Sequence, residues 1–466
     1  MPSAGAHILV YPFPTPGHII PLLDVTHRLL SRGLNVTVLV TPNNSSLLDT
    51  LTSSHPSSSS LQTLILPAPS WSTSSTNRLV GVIRGLQELH YPELLAWFKS
   101  HPSPPVAILS DFFLGWTRKL ASEVGVPRVV FSPSGALALS VAYSMWTDLP
   151  KNEDPNNLNF QVPFPKIPNC PTYPWFQIHR IYREGGEGDP DWELYRSCFL
   201  QNKASWGVVF NSAAELERDY IDHIKKDAGH DRVWAVGPVL PPDDDSVGST
   251  SRGGSTAVPS QDVLKWLDSR QDDSVVYVCF GSRQVLNSKQ TEVLAAGLEK
   301  SGVNFIWCVR EINERNAGSE HGELPDGFED RVAGRGFIIK GWAPQVAILR
   351  HRATGAFLTH CGWNSTLEGI SAGVVMLTWP MSADQFTDAQ LLVDELGVGI
   401  RVGENTERIP DPTKLAQLFA ESVDGRGPQR KKAKELKKAV MRAVRKGGSS
   451  DRDLDEFVES INKLGK

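Results

Sequence analysis

No stretch of the 466-residue chain approaches the run of about 20 apolar residues that a membrane-crossing helix needs, so membrane insertion is excluded at the outset. Cysteine is scarce: Cys170, Cys198, Cys279, Cys308 and Cys361 are five scattered residues without a C-x-x-C pair. That rules out a disulfide framework and points to a reduced compartment, the cytoplasm. An excess of positive charge is missing too. Lys and Arg number 47 against 52 Asp and Glu, a net charge of -5, which leaves no field to hold nucleic acid or an anionic membrane. The patterns G-x-G-x-x-G and G-x-x-x-x-G-K-[ST] are absent, which argues against a dinucleotide oxidoreductase and a P-loop nucleotide hydrolase. Nor do His, Cys and carboxylates cluster at metal-ligand spacing, so no metal is expected. The opening MPSAGAHILVYPFPTPGH lacks a basic start and is interrupted by Pro12, Pro14 and Pro16, so it reads as strand and turn rather than a signal peptide.

What the chain does contain is ordinary globular material, 40% hydrophobic and 21% charged, enough for more than one core. Short apolar runs alternate with helical spacing. HILVYPF (7–13) reads as a strand, HIIPLLDVTHRLLSRG (18–33) as a helix and NVTVLVT (35–41) as the next strand, a βαβ unit that implies a parallel sheet. VAILSD (106–111), PRVVFS (127–132) and WGVVFNS (206–212) read as further strands. The Ser-rich stretches 43–60 and 70–77 read as surface loops, 151–195 as a long, poorly periodic excursion, and 43–60, 70–90 and 135–195 as the loops that would shape an acceptor pocket. A Pro, Asp, Gly and Ser segment around 241–259 is the linker candidate. Beyond it the alternation restarts with strands at 275–280, 304–310, 336–342, 353–360 and 373–380 and a helix at 290–302. The organisation is therefore α/β, with an N-terminal domain at 1–240 and a second at 260–447. A basic helix (428–446) reads as solvated and amphipathic, and an acidic one follows in 448–466.

The densest chemistry lies between Trp342 and Gln385. AFLTH is a strand, CGW a tight turn, and a helix opens near Asn364 and Ser365, either of which suits an N-cap, with Gly362 allowing the bend. The free amides of that helix end would hold an anion, phosphate above all. His360 stands beside it as a hydrogen-bond donor. Glu368, one turn on, suits the hydroxyls of a ribose, and Trp342 offers a face for a base. Asp384 and Gln385, after a strand-ending Trp-Pro, suit sugar hydroxyls. Any one of these residues has an ordinary structural explanation. Within one short stretch they describe a nucleotide-sugar pocket. A second pair is His18, opening a helix after the first strand, and Asp111, ending another strand of the same sheet. Imidazole with a carboxylate neighbour is a general-base pair, although a His opening a helix is more often structural and an Asp ending a strand often caps a loop. Phe112, Phe113 and Trp116 either wall an aromatic acceptor pocket or belong to the core.

This stretch resembles the signature box of plant secondary-product UDP-glycosyltransferases, from its WAPQ start through HCGWNS and the Glu to the closing DQ. FPTPGHIIPLLD, SDFFLGWT, KIPNCP, RVWAVGP and VVYVCFGS extend the resemblance over nearly the whole chain, most closely to the subgroup acting on flavonols and small phenolic acids. The resemblance implies the GT-B fold, two Rossmann-like parallel-sheet domains facing across a cleft, with the last helix packed on the first domain. It implies that Trp342 stacks on uracil, that the Ala343 backbone binds the uracil edge with Gln345 nearby, and that Glu368 holds ribose. Ser282, His360, Asn364 and Ser365 would bind the diphosphate, and Trp363, Asp384 and Gln385 the sugar, with Gln385 favouring glucose. His18 and Asp111 would form the catalytic dyad, with Gly17, Phe112, Phe113, Trp116 and Ser134 on the acceptor side. Val375 and Asp388 depart from the commonest pattern, where many members carry Pro and Asn. The implied activity is inverting transfer of glucose from UDP-glucose to a phenolic hydroxyl by a cytoplasmic monomer, with the UDP-sugar as co-substrate and no other cofactor. Formation of C-glycosides or glucose esters, use of another UDP-sugar, and a non-catalytic nucleotide-sugar-binding role are the alternatives.

Overall fold

The computed structural model describes residues 5–55, 60–69, 75, 77–240, 257–310 and 322–465. The chain divides into two compact units, Met1–Leu240 together with Arg442–Lys466, and Pro241–Met441. Most of the expected linker, 241–256, lies outside the described residues.

The first unit carries β1 (His7–Tyr11), β2 (Asn35–Val40), β3 (Leu61–Ile65), β4 (Ala107–Asp111), β5 (Arg128–Ser132), β8 (Gly207–Phe210) and β9 (Val233–Ala235) in one sheet. A separate antiparallel hairpin pairs β6 (Gln161–Pro163) with β7 (Thr172–Pro174). The sheet order is β3-β2-β1-β4-β5-β8-β9, and every pairing is parallel. Ile8, Leu9 and Val10 are all fully buried, the consequence of helices covering both faces of a parallel sheet. Strand order reverses between β1 and β4, the point at which open α/β sheets leave a crevice for ligands.

Several loops expected from sequence are helical instead. Residues Pro42–Leu48 form a 3-10 turn that runs into the helix Asp49–Ser54, because Asn44, Leu48 and Leu51 are buried. A helix spans Arg78–Ser100 and buries Val80, Ile83, Leu86, His90, Leu94 and Phe98. Its apolar spacing is helical, but Gly81, Gly85 and Pro92 disguise it. Asn77 caps it by accepting from Leu79 N and Val80 N. Asn77→Ala should cost about 1 kcal/mol, read as a lower denaturant midpoint. The excursion at 151–195 holds the β6–β7 hairpin and the helix Arg180–Glu184, and Pro190–Lys203 begins within it.

The last helix, Ser449–Leu464, belongs to the first unit. Leu454, Phe457, Val458 and Ile461 join Ile8, Val36 and Trp234 in one core. Arg32 bridges Asp451 and Asp455 at 2.5 and 2.6 Å, and Ala6 N donates to Asn462 Oδ1 at 2.9 Å.

The second unit has β10 (Val275–Cys279), β11 (Asn304–Val309), β12 (Gly336–Lys340), β13 (Thr354–Thr359), β14 (Val375–Thr378) and β15 (Gly399–Arg401), a short strand the sequence did not announce. Their order is β12-β11-β10-β13-β14-β15, again wholly parallel. Here the order reverses between β10 and β13.

Candidate active site

In the first unit the reversal point brings His18 and Asp111 together. β1 and β4 are hydrogen-bonded neighbours with Tyr11 beside Ser110, so the turn after β1 meets the end of β4. His18 sits in the first turn of the helix Pro16–Ser31. Its Nδ1 lies 2.8 Å from Asp111 Oδ2, while Oδ1 accepts from Phe113 N at 2.9 Å. The Asp111 side chain is completely buried, whereas that of His18 is 15% exposed. A carboxylate so enclosed needs hydrogen bonds to both oxygens, and it has them. With Nδ1–H donating to Asp111, the second nitrogen, Nε2, carries a lone pair.

The ring is held among aromatics. It stacks on Phe113 at 4.9 Å and 27°, and lies 5.6 Å from Phe112 and 5.5 Å from Phe13. Phe112 and Phe113 thus border His18, as does Phe13, which nothing in the sequence singles out. Trp116 is buried, as Phe112 and Phe113 are, and packs edge-on against Tyr11 at 5.9 Å. Gly17 is exposed beside His18, and Ser134 is buried in the turn after β5.

The second unit repeats the geometry. β10 and β13 pair with Cys279 beside Thr359, so the turns after them, Gly281-Ser282 and His360-Cys361-Gly362, converge. Gly281 has φ +75°, and a Cβ there would stand 2.5 Å from the His360 ring. The turn differs from the expectation at two points. The left-handed residue is Cys361 (φ 65°), while Gly362 has φ -59° and is itself the N-cap, so the helix Trp363–Ala372 starts before Asn364 and Ser365. Glycine is needed at 362 because a Cβ would meet His360 Nε2 at 2.6 Å. Burial, reinforced by the Arg310 cation, pushes the His360 imidazole down to about 4. The ring is therefore neutral at pH 7. Its Nδ1 is buried and meets no partner among the described residues. A neutral imidazole at the positive end of a helix fits an anion that accepts hydrogen bonds.

Glu368 is buried rather than solvated. Gln345 Nε2 donates to Glu368 Oε2 at 2.6 Å and to Ser365 Oγ at 3.0 Å, and Tyr277 OH donates to Gln345 Oε1 at 3.2 Å. The carboxylate is thus held at a fixed angle. Trp342 is half-buried, with the Arg310 guanidinium 5.2 Å from its ring centre, and Ala343 beside it is buried. Arg310 Nε also donates to Gly281 O at 2.7 Å. Arg310, which spacing alone does not single out, links Trp342 to the Gly281 turn. Its one signal in the sequence is a lone cation where FIWCVR leaves the sheet edge. Ser282 is exposed and Trp363 buried. Asp384 precedes the helix Gln385–Gln390, and Gln385 Oε1 accepts from Met381 N and Ser382 N at 2.9 and 3.0 Å. The carbonyl of Gln385 is engaged by its own loop, which leaves the amide NH2 as the group it can offer a sugar.

Among the described residues no three His, Cys, Asp or Glu gather to hold a metal ion, and no helix is long and apolar enough to cross a membrane.

Residues 238–407 match the model of the family described as UDP-glucoronosyl and UDP-glucosyl transferase. A flavonol 3-O-glucosyltransferase of Arabidopsis thaliana is 51% identical over 98% of this chain and 97% of its own. The crystal structure of Arabidopsis thaliana UGT89C1 complexed with UDP-L-rhamnose superposes with a TM-score of 0.80 at 38% identity, over 98% of this chain and 99% of that one. The same protein complexed with quercetin gives 0.78 at 37%, over 98% and 100%.

Proposed function

The chain belongs to the UDP-glycosyltransferase family, with the GT-B class of fold and a kinship to plant flavonol glycosyltransferases, and from that premise we propose that it transfers glucose from UDP-glucose to a phenolic hydroxyl with inversion. The observation that carries this is the His18–Asp111 pair, 2.8 Å apart beside three phenylalanine rings. His18 Nε2 takes the proton of the acceptor hydroxyl. Asp111 holds the tautomer and stabilises the imidazolium that forms. The acceptor oxygen attacks the anomeric carbon from the side opposite the diphosphate, and UDP leaves. The charge that develops on the diphosphate is met by the amides opening the helix Trp363–Ala372, by neutral His360 and by Ser282. Trp342 stacks on the uracil, with the Ala343 backbone at its edge, and the Gln345-held Glu368 accepts from the ribose hydroxyls. Trp363, Asp384 and Gln385 face the sugar. The UDP-sugar is the co-substrate and no further cofactor takes part. Five free thiols suit a cytoplasmic enzyme.

The donor sugar is the open choice, because the UGT89C1 complex holds UDP-L-rhamnose. The test is UDP release from UDP-glucose and UDP-rhamnose with a flavonol, a hydroxybenzoate and a stilbene, the products identified by mass and anomeric coupling. β-O-Glucosides support the proposal. Rhamnosides alone would reassign the donor, and donor binding without any product would leave a nucleotide-sugar-binding protein.

A smaller change probes the diphosphate contact. Gly281→Ala places a methyl against the His360 ring in a left-handed backbone that costs an L-residue about 1–2 kcal/mol. The displaced ring should weaken UDP binding about tenfold, measured by calorimetric titration. An unchanged affinity would detach His360 from the diphosphate.

A further inference from the structure

A buried arginine needs a reason, since an enclosed charge is costly unless every donor is engaged. Arg128 opens β5, is 2% exposed, and sends four hydrogen bonds to neutral oxygens. Its Nε donates to Ser110 Oγ at 2.8 Å. One terminal nitrogen donates to Asn202 Oδ1 at 2.7 Å and Ser205 Oγ at 3.0 Å, and the other to the Asp111 backbone carbonyl at 3.1 Å. Asn202 Nδ2 then donates to the Phe112 carbonyl at 2.8 Å. One planar fork thus grips Ser110, Asp111 and, through Asn202, Phe112. These three residues turn the end of β4 into the loop that faces His18. Burial lowers the guanidinium to about 10, and the Asp111 carboxylate opposes that fall while the Arg118 cation adds to it. Arg128 is therefore a cation at neutral pH, bonded to the backbone of the residue whose carboxylate is wholly buried.

We propose that Arg128 is a positioning residue for the transfer reaction: it fixes the Ser110–Phe112 backbone so that the Asp111 carboxylate meets His18 Nδ1, and it supplies the buried positive charge that balances that carboxylate. The proposal rests on the reading of His18 as base and Asp111 as its partner. Arg128 touches no substrate and acts only through Asp111. Lysine keeps the charge but loses the fork, whereas glutamine keeps part of the fork and loses the charge.

The test uses the full chain with Arg128→Gln, Arg128→Lys and His18→Ala. The first readout is the proton resonance of the His18 Nδ1–H bonded to carboxylate, assigned by its loss in His18→Ala. It should be present in the wild type, weakened in Arg128→Lys and lost in Arg128→Gln. The second is turnover of phenols of matched shape and graded acidity. Misplacing the dyad should lower kcat about ten- to a hundredfold for the least acidic phenol. The loss should shrink as the phenol becomes acidic enough to arrive ionised, and the UDP affinity should not change. An unaltered resonance in both Arg128 variants, or the same loss for every phenol, overturns the proposal. If Arg128→Gln does not fold, the Lys variant decides by the same two readouts. If His18→Ala itself spares turnover, the base reading fails. If His18→Ala discriminates among the phenols and the Arg128 variants do not, only the role of Arg128 fails.

Discussion

His18→Ala should lower kcat by a hundredfold to ten-thousandfold while leaving the affinity for UDP unchanged, the range a general base supplies. The size of the loss follows from the isolation of the pair. Both Asp111 oxygens are engaged, one by His18 and one by Phe113 N, and the imidazole is stacked on Phe113. Asp111→Asn makes a sharper test because it keeps the shape. The amide oxygen can retain the bond from Phe113 N, and the amide NH2 then faces His18 Nδ1. Nδ1 must become the acceptor, the proton moves to Nε2, and the base loses its lone pair toward the substrate. The expected loss is comparable to that of His18→Ala. Measured turnover within about threefold of wild type in either variant would remove the dyad from the mechanism.

Phe457→Ala should produce the largest loss of stability. Phe457 is fully buried in the core of the first unit and lies 5.1 Å from the Trp234 ring. Removing a buried phenylalanine costs about 3–5 kcal/mol, through lost transfer free energy and the cavity left behind. For a unit of this size that lowers the melting temperature by on the order of 10 °C. Calorimetry should show the transition of the first unit falling while that of the second stays in place. A shift below about 2 °C would mean that the last helix contributes little to that core.

The residues legible in the sequence were those whose partners are close along the chain. His360, Gly362 and Glu368 lie within one strand, turn and helix, so their shared site could be inferred from spacing alone. His18 and Asp111 flank strands of one parallel sheet, which allows them to meet at one edge, but the sequence marks them as a working pair only through the family resemblance. Contacts made between strands and distant segments left no such trace. Arg128 looks like an ordinary strand residue until Ser110 and Asn202 are brought to it, and Arg310 acquires meaning only over Trp342. Phe13 gave no sign of bordering the base. The helix Arg78–Ser100 was hidden because its glycines and proline oppose local propensity, and tertiary burial of Leu86, Leu94 and Phe98 prevails over them. The N-cap falls at Gly362 rather than at Asn364 or Ser365 because a left-handed Cys361 completes the bend earlier than side-chain capping preferences suggest.

The helix Ser449–Leu464 makes the first unit discontinuous in sequence: β1 packs on residues made more than four hundred positions later, as the Ala6–Asn462 bond records. On the ribosome the order of manufacture is then inverted for that unit. The second unit can close as soon as it emerges, since all its strands are contiguous. The sheet that bears His18 and Asp111, although made first, is left with an apolar face open until the final helix is released. Exposed apolar surface during that interval invites self-association. A chain cut short before Ser449 would retain the strands of the second unit yet leave the sheet that bears His18 and Asp111 without the helix that covers it.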